Sequence, residues 1–306
     1  MGLMGNAVSL DNVAKSFNGH RAIDGLTLEI PEGSIFGLLG RNGAGKTTTI
    51  RMIMDIIRPD SGGIRVFGKP MDESIKDRTG YLPEERGLYP KMRVLDMLQF
   101  HGTVKNLSPS EAREAASRWL DRLELGDWKS KKVEELSKGM QQKAQFIAAV
   151  MAEPELLILD EPFSGMDPVN QDLLKDLILE RNRNGCTIIF STHVMDQAER
   201  LCREIALIDR GRAVLNGELA AIKERLGTNA VQVEFDGDGS FLKDLPMVDR
   251  VYEYGQYVEI RLRPGADPQD LLRASTASLE IRRFEIMTPT LHNIFIQQVG
   301  GDAPDA

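Results

Sequence analysis

The chain has 306 residues, 42% of them apolar, and a formal net charge of −8. That is enough apolar material for two folded domains, and it excludes global disorder. No apolar run approaches the roughly 18–20 residues that cross a bilayer, and no long basic block offers a footprint for a phosphate backbone. No nucleic acid is therefore expected as a partner. Residues 1–8 show neither a charged segment nor an apolar one of the kind that marks a leader. Cys186 and Cys202 suggest neither a disulfide framework nor a zinc site. They fit small packed hydrophobes in a reducing cytoplasm.

In chain order, residues 8–16 alternate loosely and predict a strand that Phe17 ends before the turn Asn18-Gly19. Residues 26–30 predict a second strand, closed by Pro31-Glu32-Gly33, and 35–39 a third, fully apolar one. Gly40-Arg41-Asn42-Gly43-Ala44-Gly45-Lys46-Thr47 follows, with a helix-compatible segment after it at 47–57. This is the P-loop spacing. The glycines let successive N–H groups point into one concavity at a helix N-terminus, where an anion is favoured. Lys46 adds a full charge near the terminal phosphates, and the Thr47 hydroxyl suits a magnesium ion. Residues 58–63 stop the helix, 64–68 form a short strand, and 79–83 lead into a loop at 84–89.

From 92 to 151 the apolar spacing turns helical, over 92–105, 109–124 and 138–152, with Ser108-Pro109 as a helix start. This reads as a helical subdomain inserted in an α/β core. Strand–helix alternation then returns, with strands at 156–159, 187–191 and 205–209 and helices at 170–183 and 194–202. Such alternation implies a parallel sheet with ligands at the carboxyl ends of its strands. The strand at 156–159 ends in Asp160-Glu161. After a P-loop, Asp160 is placed beside the metal held by Thr47, and Glu161 is placed to deprotonate a water attacking a γ-phosphate. Ser137-Lys138-Gly139 precedes a helix and reads either as an ordinary capped N-terminus or as a backbone approach to an anion.

Taken in order, the P-loop, Ser137-Lys138-Gly139, the Asp160-Glu161 strand, Ser164-Gly165-Met166-Asp167 and Ser191-Thr192-His193 resemble an ATP-binding cassette protein, the nucleotide-binding subunit of an ABC transporter. The resemblance implies a P-loop NTPase core at 7–225 with its helical subdomain at about 85–152. It implies ATP and Mg²⁺ as cofactors, bound between the two copies of a head-to-tail homodimer. Gly40, Arg41, Asn42, Gly43, Ala44, Gly45, Lys46, Thr47 and Thr48 would hold phosphate and, through Thr47, the metal. Ser137 and Gly139 would reach the partner's ATP. Glu161 would be the base and His193 the γ-phosphate switch. Asp167 would lie in a loop crossing the dimer interface, or serve as a helix start. Phe17 would stack on adenine, or stand as a core aromatic. Two departures from the family pattern stand out. Glu84 occupies the place of a glutamine that ligates the metal, and Lys138 replaces a glycine, pointing either to solvent or toward the partner's ATP.

Beyond 226 the pattern changes. Strands at 230–235, 251–254, 258–262 and 279–286, with helical segments at 241–245 and 267–273, predict a small α+β domain at 228–299 in ferredoxin-like order. A last helix is expected to start at Thr288-Pro289-Thr290. With the loop at 84–90, this ending resembles ATP-binding subunits of the ABC-2 exporter group. That resemblance implies a separate membrane-spanning permease, a lean to export, and a cytoplasmic place on the inner face of the membrane. The alternative of a soluble cassette ATPase acting on ribosomes or DNA lacks its usual second cassette or coiled-coil insertion here.

Overall fold

The computed structural model describes residues 5–85, 87–226, 230–255, 257–263, 265–287 and 290–299. Arg86, Gln256, the expected helix start Thr288-Pro289 and the tail 300–306 lie outside the described residues. The chain divides into two compact units between Leu219 and Ala220, ahead of the boundary expected near 226.

The first unit opens on a hairpin of β1 (Asn6–Phe17) and β2 (His20–Pro31). Asn18 (φ 48°) and Gly19 (φ 83°) make the turn, the left-handed pair that matches strand twist in a two-residue hairpin. β3 (Ile35–Leu39) leads through the P-loop to α1 (Lys46–Ile53), which stops well short of the expected 57. β4 (Ser61–Val66) pairs back on β1, so β2-β1-β4 forms a three-stranded antiparallel sheet of its own. A short helix α2 (Glu73–Asp77) and β5 (Thr79–Leu82) precede the helical block of α3 (Val94–Val104), α4 (Pro109–Arg122) and α5 (Lys138–Val150). Ser108 begins α4 with a full capping box: its hydroxyl accepts from the Glu111 N–H while the Glu111 carboxylate accepts from the Ser108 N–H.

The α/β core resumes with β6 (Leu156–Asp160), α6 (Pro168–Arg183), β7 (Thr187–Thr192), α7 (Met195–Leu201), β8 (Glu204–Asp209) and β9 (Arg212–Glu218). These complete a six-stranded sheet in the order β5-β6-β7-β3-β8-β9, parallel except at the β8–β9 edge. Every residue of β3, β6 and β7 is buried, as a parallel strand covered on both faces requires. The order places the carboxyl ends of β6, β7 and β3 side by side. Leu39 pairs with Thr192, and Asp160 with Ser191.

α8 (Leu219–Leu226) leads into the second unit. There β10 (Ala230–Asp236), β11 (Val248–Tyr254), β12 (Tyr257–Leu262) and β13 (Glu280–Met287) pair in the order β11-β12-β10-β13. All pairs are antiparallel. This is the expected ferredoxin-like order, the split βαβ arrangement. Its crossovers are unequal: β10 to β11 runs through a five-residue 3₁₀ turn at Ser240–Asp244, and β12 to β13 through the nine-residue helix α9 (Pro268–Thr276). Val231, Val233, Ile260, Leu262, Leu242 and Leu271 form its core. α10 (Leu291–Val299) ends the described chain.

Candidate nucleotide site

The P-loop leaves β3 at Gly40, whose φ is 150° and where an added Cβ would stand 2.3 Å from the Ile208 carbonyl oxygen. Gly45 caps α1 with φ 116° and no side-chain hydrogen bond. A Cβ there would meet Ile23 Cδ1 at 2.6 Å and the Ala22 carbonyl oxygen at 2.9 Å. Backbone lies too close, and φ too far positive, for any other residue. The first N–H groups of α1 therefore open onto a cavity of about 280 Å³, lined by Ala22, Asn42, Gly43, Gly45, Lys46, Thr47, Thr48, Glu84 and Glu161. Gly211, in the β8–β9 turn, braces the loop from behind. Its N–H donates to the Ala44 carbonyl oxygen (2.9 Å), and its own carbonyl accepts from the Asp24 N–H (2.9 Å).

Lys46 is buried. Its ammonium donates to the Gly40 carbonyl oxygen (2.8 Å) and the Arg41 carbonyl oxygen (3.3 Å) and stands 3.6 Å from Glu161 Oε1. The same Glu161 oxygen lies 2.9 Å from His193 Nδ1. Glu161 is thus held between a cation on the P-loop and an imidazole after β7. Its backbone is left-handed, φ 50°, a conformation that non-glycine residues adopt when their surroundings enforce it. Ser191 supplies that enforcement. Its carbonyl and its Oγ both accept from the Glu161 N–H, at 3.2 and 3.1 Å.

The Ser191 hydroxyl donates in turn to Asp160 Oδ1. Asp160 is fully buried, and its Oδ2 has no hydrogen-bond partner among the described residues. Burial pushes its carboxyl above the ordinary value, against the lowering pull of the Ser191 and Thr47 hydroxyls. An orphaned buried carboxylate oxygen beside a threonine hydroxyl is a hard-oxygen donor set, and it fits a magnesium ion that keeps most of its waters. Tyr81, on β5, is pushed up to about 12 by burial and by the charge of Asp160.

The structure thus brings Asn42, Gly43, Gly45, Lys46, Thr47, Thr48, Glu84 and Glu161 to one cavity. Gly40, Arg41 and Ala44 form the loop's frame, Asp160 lies behind it, and His193 reaches it through Glu161. Other expected residues stand apart. Phe17 does not line the cavity and is not a core aromatic: it is 43% exposed, with Lys15 Nζ 5.5 Å above its ring. Ser137 is exposed and caps α5, its hydroxyl accepting from the Met140 N–H (3.3 Å). Asp167 caps α6 by accepting from the Asn170 N–H (3.0 Å), a bond that leads the effects holding its carboxyl below the usual range. Gly139 lies near Asp167's loop, where an added Cβ would come within 3.7 Å of the Gly165 carbonyl oxygen. Sequence reading assigned no role to Ser191, Gly211 or Ala22. Their contributions come from strand register and backbone approach.

Comparison with known proteins agrees with this geometry. The family described as ABC transporter matches residues 23–164, and the family described as ATP-binding protein DrrA1-3-like, C-terminal domain, matches residues 217–299. The chain is 44% identical over 293 residues to the uncharacterized ABC transporter ATP-binding protein YhaQ of Bacillus subtilis, covering 96% of this chain and 98% of that one. It is 31% identical over 312 aligned positions to the daunorubicin/doxorubicin resistance ATP-binding protein DrrA of Streptomyces peucetius, covering 98% and 94%. A solved ATP-binding subunit of an ABC transporter superposes with a TM-score of 0.67 at 29% identity, over 72% of this chain and 93% of that one. The chain belongs to the ATP-binding subunits of ABC transporters, and it is an ATPase with a DrrA-type C-terminal domain.

Proposed function

We propose that two copies of this ATPase close head to tail around two ATP molecules and that closure drives a separate membrane permease in export. The observation that carries the reading is the division of the site. Phosphate-binding, metal-side and base residues share one cavity, whereas Ser137, Gly139 and Asp167 are not among the residues that line it. A second copy would complete each site with those residues. Lys138 supports this. It is exposed at the first position of α5, where the helix dipole disfavours a cation unless an anion approaches. Gly139→Asp tests the division. An added Cβ meets nothing closer than van der Waals distance, so the fold and ATP binding by one copy are expected to be retained. Turnover and the MgATP-dependent dimer mass in analytical ultracentrifugation are lost, by about 10²-fold or more for turnover. Normal turnover in this variant would end the proposal.

Within each site, Lys46 and the P-loop amides would fix the phosphates and Glu161 would take the proton of a water attacking the γ-phosphorus as the bond to ADP breaks. His193 would hold the Glu161 carboxylate in line. Thr47, Asp160 and Glu84 would hold Mg²⁺, which screens phosphate charge. Glu84→Gln is expected to raise, several-fold, the Mg²⁺ concentration for half-maximal turnover, because a carboxylate binds a hard cation better than an amide does.

No helix among the described residues is long and apolar enough to cross a membrane, so the permease would be another chain and this subunit would sit on the inner membrane face. The docking place we favour is the depression of about 160 Å³ between β5 and the helical block, which Leu88, His101 and Gln145 help to line. Tyr89, Phe100 and Val104 are exposed beside it. His101 Nε2 and Gln145 Oε1 are buried there without hydrogen-bond partners among the described residues, so a docking segment could satisfy both. Phe100→Asp is expected to abolish co-purification with the membrane protein while basal turnover stays within about twofold, as a surface change far from the reacting atoms should. Export is favoured by the similarity to a drug-resistance subunit.

A further inference from the structure

The second unit carries a cavity of its own, of about 370 Å³. Its origin lies in the unequal crossovers of the sheet. Two helices of similar length would cover one face of four strands, but here one crossover is only the five-residue turn Ser240–Asp244. The core face therefore runs on past its cover. Half-buried Val251 and Val258 line the uncovered part of this face, fully buried Val233 lies behind them, and Phe235 flanks them. The Phe235 ring is pinned against Gly239, where an added Cβ would stand 2.2 Å from Cζ.

One charged residue breaks this face. Side chains alternate along a strand, so Glu253 shares the side of Val251, and it pairs with Val258 across the ladder. Glu253 lines the cavity and has no ion-pair or hydrogen-bond partner among the described residues. The second lining carboxylate, Asp238, accepts from the Ser240 N–H at 3.0 Å and lies within electrostatic reach of Lys243. No lysine, arginine or histidine is among the described lining residues. An apolar floor, an aromatic ring and an uncompensated carboxylate together recognise a cation with an apolar body. Glu253 is exposed to solvent, so a neutral ligand gains nothing from its charge, and an anion would be repelled.

We propose that this cavity is a binding site for a small organic cation, with the ammonium at Glu253 and the apolar body over Val251, Val258 and Phe235. The volume suits a ligand of that size. The site lies wholly within the second unit and is independent of the nucleotide chemistry.

The test uses the full chain and benzyltrimethylammonium as probe, with its uncharged carbon isostere neopentylbenzene as control, followed by saturation-transfer NMR. Saturable binding of the cation is expected, with a Kd of roughly 10⁻⁴–10⁻³ M. Glu253→Gln should weaken it about tenfold and Glu253→Lys should abolish it, with ATP turnover unchanged in both as the control for folding. Equal affinity for the isostere, unaltered binding in Glu253→Gln, or absence of saturation would each overturn the proposal. So would a change in oligomeric mass of Glu253→Lys in a chain that never bound the probe, which would assign the cavity to a second copy instead.

Discussion

Glu161→Gln keeps ATP binding and loses turnover, by about 10²–10⁴-fold, the usual cost of removing a general base. The substitution preserves shape and leaves the Glu161 N–H bonds to Ser191 in place, so the left-handed turn survives. It removes only the negative charge between Lys46 and His193. Lys46 then loses a competing carboxylate and remains free to bind phosphate, which is why affinity should hold or rise. Steady-state phosphate release and equilibrium binding of a fluorescent ATP analogue separate the two effects. Loss of binding together with turnover would show that Glu161 holds the site together rather than taking a proton. Retained turnover would remove it from the reaction.

Asp160→Asn should move activity and stability in opposite directions. Turnover falls by about 10²-fold or more, because a metal-side oxygen loses its charge. Without nucleotide and magnesium, however, the folded chain gains stability, because the amide, though still buried, carries no charge that must be taken out of water. The melting midpoint rises by roughly 2–4 °C for each kcal/mol so recovered. The sign follows from the raised carboxyl. The folded state takes up a proton on Asp160 more readily than the unfolded state does, so stability falls as pH climbs from the ordinary carboxylate value through the raised folded one. The variant's advantage is therefore full above that window and vanishes below it. Thermal melts of both proteins across acid to neutral pH in EDTA check this. An Asp160→Asn chain that melts lower at neutral pH would show that the carboxylate is already well satisfied.

How much of this was legible in the sequence follows from the range of each signal. The P-loop and the Asp160-Glu161 strand are written in neighbouring residues, where spacing alone carries the chemistry. Apolar runs announced β3, β6 and the Ile188-Ile189-Phe190 centre of β7, because a strand buried on both faces has no polar side to alternate with. Short or weakly patterned elements were missed: α2, β9 and α8 have too few turns or too little apolar contrast for periodicity to register. The helix after the P-loop was read too long because its apolar residues continue to Ile57, while the chain turns left-handed at Asp55. Ser191 could not be assigned from sequence, since its hold on both carboxylate residues depends on the β6–β7 register. Phe17 was placed by family pattern, and here its ring stands apart from the phosphate cavity.

Gly211 has a consequence for how the first unit deforms. Through its two backbone hydrogen bonds it ties the P-loop at Ala44 to β2 at Asp24, and Arg212 next to it is ion-paired with Asp24. The antiparallel sheet, the phosphate loop and the far edge of the parallel sheet are thereby riveted at a residue with no side chain to give way. An added Cβ would strike the Ala22 carbonyl oxygen at 2.6 Å. A push on the loop from an arriving phosphate cannot be absorbed locally. It is shared at once among three layers that the sequence scatters across nearly two hundred residues, so this half of the unit responds as a single stiff body.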